Sequence, residues 1–321
     1  IKKFINEDGS SSLSITDEIT QDICKTMQAA WAKCVLRLIN QYSDLSENLC
    51  VTGGCALNGI ANYQLQKEEI FNNYHFVPNP TDCGLSIGAA LYVYYEKSNV
   101  EFSGNKEYFS PYLGEEIYDK NKLPELKKNY KNISYKEDLI TEKLADLICK
   151  DKIVGVIRGR YEIGPRALGN RSILCNSQNK EMRDILNHKV KHREWYRPFA
   201  PVCTAEDASK YFTNDSEIPY MSVICYTKDE YKAQLPSITH VDDSCRLQTV
   251  TQHQHNFLYE VLKHIEKQNN YPIVLNTSFN PAGEPIVNYY KAALEMLKAT
   301  DLDYVLIEDT FFWFKDENSL E

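Results

Sequence analysis

The sequence predicts an α/β protein built from two domains. Strand, turn and helix patterns alternate along the chain, and 43% of its 321 residues are apolar, which is enough material for two cores of ordinary size. Between Ser98 and Tyr118 the alternation stops and polar and turn residues prevail, which is typical of a linker. We therefore place the boundary near residue 104 and expect domains of residues 1–104 and 105–321.

The individual elements follow from the spacing of apolar residues and from the Gly and Pro residues that end each run. Helical spacing and short apolar runs predict, in chain order, a helix over 20–42, a strand at 48–52, a helix over 56–65, a strand at 75–77, a helix over 85–95, a helix over 141–150, a strand at 153–157, a strand at 272–275, a helix over 290–300 and a strand at 303–307. Consecutive strand, turn and helix units of this kind indicate the α/β class.

Charge and composition exclude several classes of function. The chain carries 36 basic and 45 acidic residues, a net charge of −9, which argues against a general binder of nucleic acid or anionic membranes. No uncharged apolar run approaches the ~18 residues that a membrane span needs. The ten cysteines are too dilute for a disulfide scaffold and lack zinc-finger spacing, so they indicate free thiols and a cytoplasmic location.

One stretch is basic within this acidic chain. Residues 158–197 contain ten Lys or Arg against four Asp or Glu, a local charge of +6. In the segment 158–172 arginines alternate with glycines and a proline directly after a predicted buried strand, which favours a loop whose backbone approaches a ligand closely. Arginine binds phosphate and carboxylate in bidentate fashion. The pattern predicts a local anion site, and a solvated basic face is the alternative.

Other motifs are ambiguous by themselves. Gly53, Gly54 and Asn58 lie between a strand and a helix, where backbone amides meet a nucleotide or simply form a tight turn. Asp82 lies at the mouth of a helix, where a carboxylate serves as a metal ligand or as a cap. Ionisable residues alternate over 237–249, which predicts either a pocket lining or a solvent-facing strand edge. These positions are candidates for nucleotide, metal and substrate contacts.

In combination the motifs resemble one family. The blocks GGCALNGIAN, NPTDCGLSIGAAL, GRYEIGPRALGNRSIL, KHREWYRPFAP, HVDDSCRLQTV and PIVLNTSFNPAGEPIV occur in the order seen in O-carbamoyltransferases of the NodU/CmcH type. The resemblance covers nearly everything from Thr20 to Ile307. It implies a partial actin/sugar-kinase-like domain over residues 1–104, followed by a YrdC/Sua5-like α/β domain over residues 105–321.

The resemblance also implies a chemistry. Family members make a carbamoyl adenylate from carbamoyl phosphate and ATP in the second domain and pass the carbamoyl group to a hydroxyl in the first. The implied acceptor is a small molecule. The implied cofactor is a divalent metal, generally iron, and Mg²⁺ is the ion that would accompany ATP. This sequence is accordingly identified as a member of an ATP- and carbamoyl-phosphate-dependent carbamoyltransferase family.

Carried over residue by residue, the resemblance implies specific roles. The cations that would cradle carbamoyl phosphate and the adenylate phosphate are Arg166, Lys191, Arg197 and Arg246. The implied substrate and nucleotide ligands are Arg160, Glu162, Asn170, Arg171, Ser172, Arg193, Asn276 and Ser278, together with Gly53, Gly54 and Asn58 on the adenosine side of the first domain. The implied metal ligand is Asp82.

The sequence also departs from the family pattern. The HxxxH pair of further metal ligands is matched in spacing only by His188 and His192, which lie in the second domain, and Asp243 stands where the family has a small residue. We expect the first half of the actin-like domain from the same polypeptide or from a separate partner chain. Two alternatives stay open: a tRNA-modifying enzyme of the threonylcarbamoyl type, which the net charge disfavours, and a non-catalytic subunit that binds nucleotide or carbamoyl phosphate.

Overall fold

A computed structural model of the chain describes residues 14, 16–98, 109–116, 120–214 and 216–314. Its helices are α1 (Glu18–Asn40), α2 (Gly59–Lys67), α3 (Leu85–Ser98), α4 (Leu123–Asn129), α5 (Glu137–Cys149), α6 (Met182–Ile185), α7 (Ala205–Tyr211), α8 (Asn256–Asn269) and α9 (Tyr290–Ala299). Its strands are β1 (Asn48–Val51), β2 (Asn73–Phe76), β3 (Lys131–Ser134), β4 (Val154–Ile157), β5 (Arg171–Asn176), β6 (Ala200–Thr204), β7 (Cys225–Tyr226), β8 (Ser244–Cys245), β9 (Gln248–Val250), β10 (Ile273–Ser278), β11 (Tyr304–Ile307) and β12 (Thr310–Trp313).

The chain divides into two compact units. One comprises the described parts of Ile1–Cys50 and Ile60–His75, and the other comprises the described parts of Val51–Gly59 and Phe76–Glu321. The predicted domain boundary near residue 104 lies outside the described residues, so that division stays a prediction. No helix within the described ranges is long and apolar enough to cross a membrane.

The first unit is built from α1, α2 and the two-stranded sheet β1–β2. Helix α1 agrees with the predicted helix over 20–42. The prediction rests on apolar residues that recur with helical spacing along this segment. Only Ala32 of that helix is buried. Apart from Ala32, the buried apolar residues described in this unit lie in α2 and in the turn after it, namely Ala61, Leu65 and Phe71.

The second unit is organised around an eight-stranded mixed sheet in the order β3-β12-β11-β4-β5-β10-β6-β9. The pairs β4–β11 and β6–β9 are parallel, and the other neighbours are antiparallel. Alternate strand residues enter two separate cores, one shared with α5 and α8 and the other shared with α6, α7 and α9. This sheet with helices on both faces confirms the predicted α/β class.

The central strand β4 illustrates how tightly these layers pack. Val154 and Val156 enter the core beneath α5 and α8, so Gly155 faces the other core, where the ring of Phe279 lies. A Cβ atom on Gly155 would stand 2.5 Å from Phe279 Cζ, closer than real Cβ contacts allow. Phe279 itself is fully buried and directly follows Ser278, a predicted site residue. The glycine is therefore required by the position of that ring.

Replacing this glycine tests the packing. We expect Gly155→Ala to lower the free energy of unfolding by roughly 1–3 kcal/mol, because the new methyl group forces the Phe279 ring to shift in a filled core. The control is Gly88→Ala in α3, where the added Cβ meets nothing within 4 Å and alanine favours the helix. Urea unfolding measures both variants. Equal stability of Gly155→Ala and the wild type would contradict this packing.

Candidate functional site

The candidate site is organised by the loop that joins β4 to β5, here called the β4–β5 loop (residues 158–170). The side chain of Glu162 turns back into this loop and is only 7% exposed. Its Oε1 accepts hydrogen bonds from the backbone N–H groups of Leu168 at 2.7 Å, Asn170 at 2.8 Å and Arg171 at 3.4 Å. Burial raises the pKa of Glu162, and these donors and the charge of Arg171 act against that rise. One carboxylate thus gathers the N–H groups of the loop.

Arg171 does the converse with the carbonyl groups of the same loop. It is 1% exposed, and its Nη1 donates to the carbonyls of Arg158 at 2.8 Å and Asn170 at 2.7 Å. Its Nη2 donates to the carbonyl of Gly159 at 2.8 Å. Glu162 and Arg171 therefore fix the two ends of the loop, so the structure places both of these predicted ligands inside the fold.

A second set of contacts holds the loop against α8. His255 caps α8, and its Nδ1 accepts from the N–H of Leu258 at 3.2 Å, so the ring proton lies on Nε2. That N–H donates to Asn170 Oδ1 at 3.0 Å, and Asn170 Nδ2 donates to the Arg160 carbonyl at 2.8 Å. Burial lowers the pKa of His255 to about 4. Asn170 thus connects the loop to a neutral, part-buried imidazole.

Two buried amides hold the middle of the loop over the sheet. Asn276 lies two residues beyond Val274 on β10 and therefore on the face that α5 and α8 cover. Its Nδ2 donates to the Ala167 carbonyl at 3.0 Å and to Gln248 Oε1 at 3.3 Å. Gln248 Nε2 donates to the Leu168 carbonyl at 3.0 Å. These bonds place Arg166, the preceding residue of the loop, beside this face.

Arg246 reaches the same region from the segment that leads into β9. Leu247 packs in the opposite core, so Arg246 and Gln248 are directed to the face that carries Asn276. Neither Arg166 nor Arg246 makes a hydrogen bond or ion pair with any described residue, although both are partly buried. Burial, and then the charge of Arg246, lowers the pKa of Arg166 to about 10. Two neighbouring guanidinium groups that pair with no described carboxylate have the chemistry suited to an anion.

Lys191 lies nearby and is more deeply buried. Its Nζ donates to the carbonyls of Ser278 at 2.7 Å and Asn280 at 2.6 Å, and it lies 2.8 Å from Asn280 Oδ1 and 3.3 Å from Ser278 Oγ. Burial, and then the charge of Arg193, lowers the pKa of Lys191 to about 7. Sequence reasoning named Lys191 and Ser278 but missed Asn280. The signal was present, since Asn276, Ser278 and Asn280 alternate along one strand direction.

The remaining predicted cations are engaged elsewhere. Arg193 Nε donates to Asn187 Oδ1 at 2.8 Å, and its guanidinium lies 4.6 Å from the centre of the Phe199 ring. Arg197 is half-exposed and forms an ion pair with Glu194 at 2.8 Å. Arg160 donates to the backbone carbonyls of residues 113 and 114. Their predicted contacts with substrate therefore require these bonds to be exchanged.

The predicted ligand Ser172, just beyond the β4–β5 loop, has a structural role. Ser172 is fully buried at the start of β5, and its Oγ accepts from the N–H of Gly169 at 3.0 Å. This bond closes the C-terminal end of the β4–β5 loop. A direct contact between Ser172 and a nucleotide stays a prediction.

The residues of the N-terminal region that are predicted to bind nucleotide and metal lie in turns. Gly53 has φ of 87°, a value that favours glycine, and precedes the 3-10 turn Gly54–Leu57, which Asn58 ends. Asp82 is exposed at the start of another 3-10 turn. Within the described ranges no three His, Cys, Asp or Glu residues cluster as metal ligands require, so Asp82 does not by itself fit a metal site. Both roles stay predictions.

The fold and the site together define a class, namely an α/β protein with a cationic site beside β9 and β10. Comparison with known proteins identifies the family. The profile described as "Carbamoyltransferase C-terminus" matches residues 145–313, and the one described as "Carbamoyltransferase N-terminus" matches residues 2–91. The chain belongs to the carbamoyltransferase family, which confirms the family expected from the sequence motifs.

Individual relatives agree with this assignment. An uncharacterized protein of Synechocystis sp. is 36% identical over 96% of this chain and 55% of its own length. Nodulation protein NolO of Bradyrhizobium diazoefficiens is 34% identical over 89% of this chain and 53% of its own length. Nodulation protein U of Rhizobium fredii is 31% identical over 91% of this chain and 50% of its own length. The chain thus spans about half the length of these relatives.

Among solved structures, the chain is similar to full-length HypF in its phosphate- and nucleotide-bound form. The identity is 21% and the TM-score is 0.39, over 53% of this chain and 24% of that chain. A second HypF structure, from T. kodakarensis, gives 20% identity and a TM-score of 0.37 over 52% of this chain and 20% of that chain.

The role of Glu162 in the loop is tested by removing its carboxylate. We expect Glu162→Ala to lower the free energy of unfolding by about 3 kcal/mol, because up to three buried N–H groups lose their acceptor. Glu162→Gln keeps an acceptor oxygen and is expected to lose less than half as much. Urea unfolding of the two variants beside the wild type measures the difference. A stability of Glu162→Ala equal to that of Glu162→Gln would show that these bonds do not hold the loop.

His255 predicts a pH dependence of stability. Its pKa in the folded protein, about 4, lies below the usual value of 6.5, so the unfolded chain binds more protons between these pH values. The contribution is complete above pH 6.5 and is lost as the pH falls towards 4, by up to about 3 kcal/mol. We expect His255→Gln to remove this part of the pH profile, whereas exposed His253→Gln retains it. Identical pH profiles for His255→Gln and the wild type would contradict the assignment.

Proposed function

We propose that the protein is an ATP-dependent O-carbamoyltransferase that uses carbamoyl phosphate and proceeds through a carbamoyl adenylate. One observation carries this proposal: Arg166 and Arg246 lie together with no ion pair to any described carboxylate, against a face lined by the buried amides of Asn276 and Gln248. Such a pair is suited to a multiply charged phosphate. Membership in the carbamoyltransferase family supports the group that is transferred.

The proposed chemistry balances in three steps. Water cleaves carbamoyl phosphate to carbamate and inorganic phosphate. A carbamate oxygen then attacks the α-phosphorus of ATP, the bond to the β-phosphate oxygen breaks, and pyrophosphate leaves. Finally the acceptor hydroxyl oxygen attacks the carbamoyl carbon, AMP leaves, and the hydroxyl proton passes to a base or to solvent. Step two brings the carbamate anion and the polyanion ATP together, and phosphate and pyrophosphate leave as anions in steps one and two, so positioning and charge neutralisation lower these barriers.

The chain's own residues divide this work. Arg166 and Arg246 hold the phosphate oxygens that develop charge, because their guanidinium groups have no other partner among the described residues. Lys191 fixes Ser278 and Asn280 at the end of β10 and supplies a further positive charge when it is protonated. Asn276 and Gln248 keep the backbone of residues 167–168 in place and thereby fix Arg166. The adenylation pocket is thus assigned to the second compact unit.

The transfer step is assigned to the complete protein. The proposed acceptor is a hydroxyl of a small molecule, and the proposed location is the actin-like domain, of which this chain carries one part. The remainder is supplied in cis or by a partner chain, in keeping with relatives that are about twice as long. A metal, proposed to be iron, would supply Lewis acidity there. The described residues do not form its ligand set.

The two unpartnered arginines provide the test. We expect Arg166→Ala and Arg246→Ala each to reduce ATP–pyrophosphate exchange with carbamoyl phosphate by roughly 30- to 1000-fold, because each removes a charge-assisted contact to a reacting phosphate. Lys191→Ala is expected to give a similar loss. Arg37→Ala is the control, since Arg37 is an exposed arginine of α1.

The exchange assay distinguishes the proposed enzyme from the non-catalytic alternative. Unchanged exchange in Arg166→Ala would overturn the assigned pocket. A wild-type chain that binds ATP but supports no exchange would favour the non-catalytic subunit instead.

A further inference from the structure

A turn immediately before Arg246 contains a histidine that the proposed reaction has not used. The N–H of His240 donates to the Ser244 carbonyl at 2.9 Å, and the N–H of Asp243 donates to the His240 carbonyl at 3.0 Å. The turn places three polar side chains in a row, with Ser244 between Asp242 and His240. Ser244 Oγ lies 2.6 Å from Asp242 Oδ1 and 3.1 Å from His240 Nδ1.

These distances fix the position of the ring proton. Burial acts to raise the pKa of Asp242, but hydrogen bonds from the Ser244 hydroxyl and amide outweigh it, so the pKa lies below its usual value and the ionised carboxylate only accepts. The Ser244 hydroxyl has one proton and donates it to Asp242. Its oxygen is then left to accept from His240, so the proton of the neutral ring lies on Nδ1 and the lone pair lies on Nε2.

Nε2 is buried and makes no hydrogen bond of normal distance and angle with any described residue. Burial first, and then the charges of Arg246 and Arg183, lower the pKa of His240. The charge of Asp242 and a backbone hydrogen-bond contact with Phe199 act in the opposite direction without offsetting the burial. The protein therefore holds a neutral imidazole nitrogen that lacks a hydrogen bond of normal geometry, and the charge that lowers the pKa of this ring includes that of Arg246, a guanidinium without a partner among the described residues.

We propose that His240 is a further anion-binding residue of this site: when an anion binds Arg246, Nε2 of His240 takes up a proton from solvent and donates it to an anion oxygen. The inference rests on the proposed function only in that Arg246 binds an anion. A negative charge at that position cancels the repulsion from Arg246 and favours the imidazolium. The buried nitrogen then gains a charge-assisted hydrogen bond, so both unsatisfied groups are satisfied in one event.

The test is titration calorimetry of the 321-residue chain with sulfate, an anion whose own charge does not change near neutral pH. Each protein is titrated at pH 6.5 in two buffers of different ionisation enthalpy, because the difference in heat counts the protons taken up. His240→Gln is compared with the wild type, and His253→Gln, a change of the same kind at an exposed turn position, is the control. Lys191 contributes proton uptake in all three proteins, so the difference between them isolates His240.

We expect the wild type and His253→Gln to take up more protons per sulfate than His240→Gln. We also expect His240→Gln to bind sulfate roughly tenfold more weakly at this pH, through loss of one charge-assisted bond. Ser244→Ala, which keeps the imidazole but removes the partner of Nδ1, is expected to fall between them.

Each result decides one point. Equal proton uptake in the wild type and His240→Gln, with sulfate bound by both, would overturn the role of His240 and leave the anion pocket intact. Sulfate binding that Arg246→Ala does not weaken would show an adventitious ion only and would overturn the inference together with the pocket. Circular dichroism of each variant confirms that the compared proteins are folded.

Discussion

The carboxylate of Glu162 is the constraint on which the site depends. A buried negative charge is unfavourable unless several donors surround it, and the β4–β5 loop provides them by turning three backbone N–H groups towards one oxygen. The geometry that satisfies Glu162 also defines the path of residues 162–171. Arg171 completes the arrangement by binding the carbonyls that this path leaves behind. The position of Arg166 in the loop depends on the hydrogen bonds of both Glu162 and Arg171.

The second principle of the site is a surplus of positive charge. Arg166, Arg246 and Lys191 are at least partly buried with no ion pair to a carboxylate of the described residues, and burial lowers the pKa of each. In a chain of net charge −9 such a surplus is not a consequence of composition. Hydrogen bonds hold the loop and Lys191 in place, and in the proposed function an anion relieves the surplus. In the proposed function, the packing that holds these three cations in place therefore also preorganises them for an anion.

The sequence predicted the fold well where local pattern decides it. The helix over 20–42 is predicted from the helical spacing of its apolar residues, and the strands at 153–157 and 303–307 are predicted from short continuous apolar runs, which the structure buries. It also located the site region from the arginine-rich segment. It could not assign each arginine, because a guanidinium that binds loop carbonyls, like Arg171, and one without a partner among the described residues, like Arg166, have the same local sequence signature.

Contacts between distant segments explain the rest. Asn280 meets Lys191 across 89 residues, and the isolation of His240 Nε2 depends on elements that the turn itself does not specify. The family resemblance implies that Glu162 is a ligand, yet the donors to its carboxylate come from the loop itself. No period or motif encodes which way such a side chain turns.

The central claim is that Arg166 and Arg246 together form the anion site. A crystal structure of the chain with selenate tests it most directly, because anomalous scattering from selenium locates the anion without interpretation of its shape. The account predicts a selenate bound by both guanidinium groups, with the β4–β5 loop and the Glu162 hydrogen bonds unchanged. Selenate bound elsewhere, with either arginine paired to a carboxylate of the protein, would contradict it.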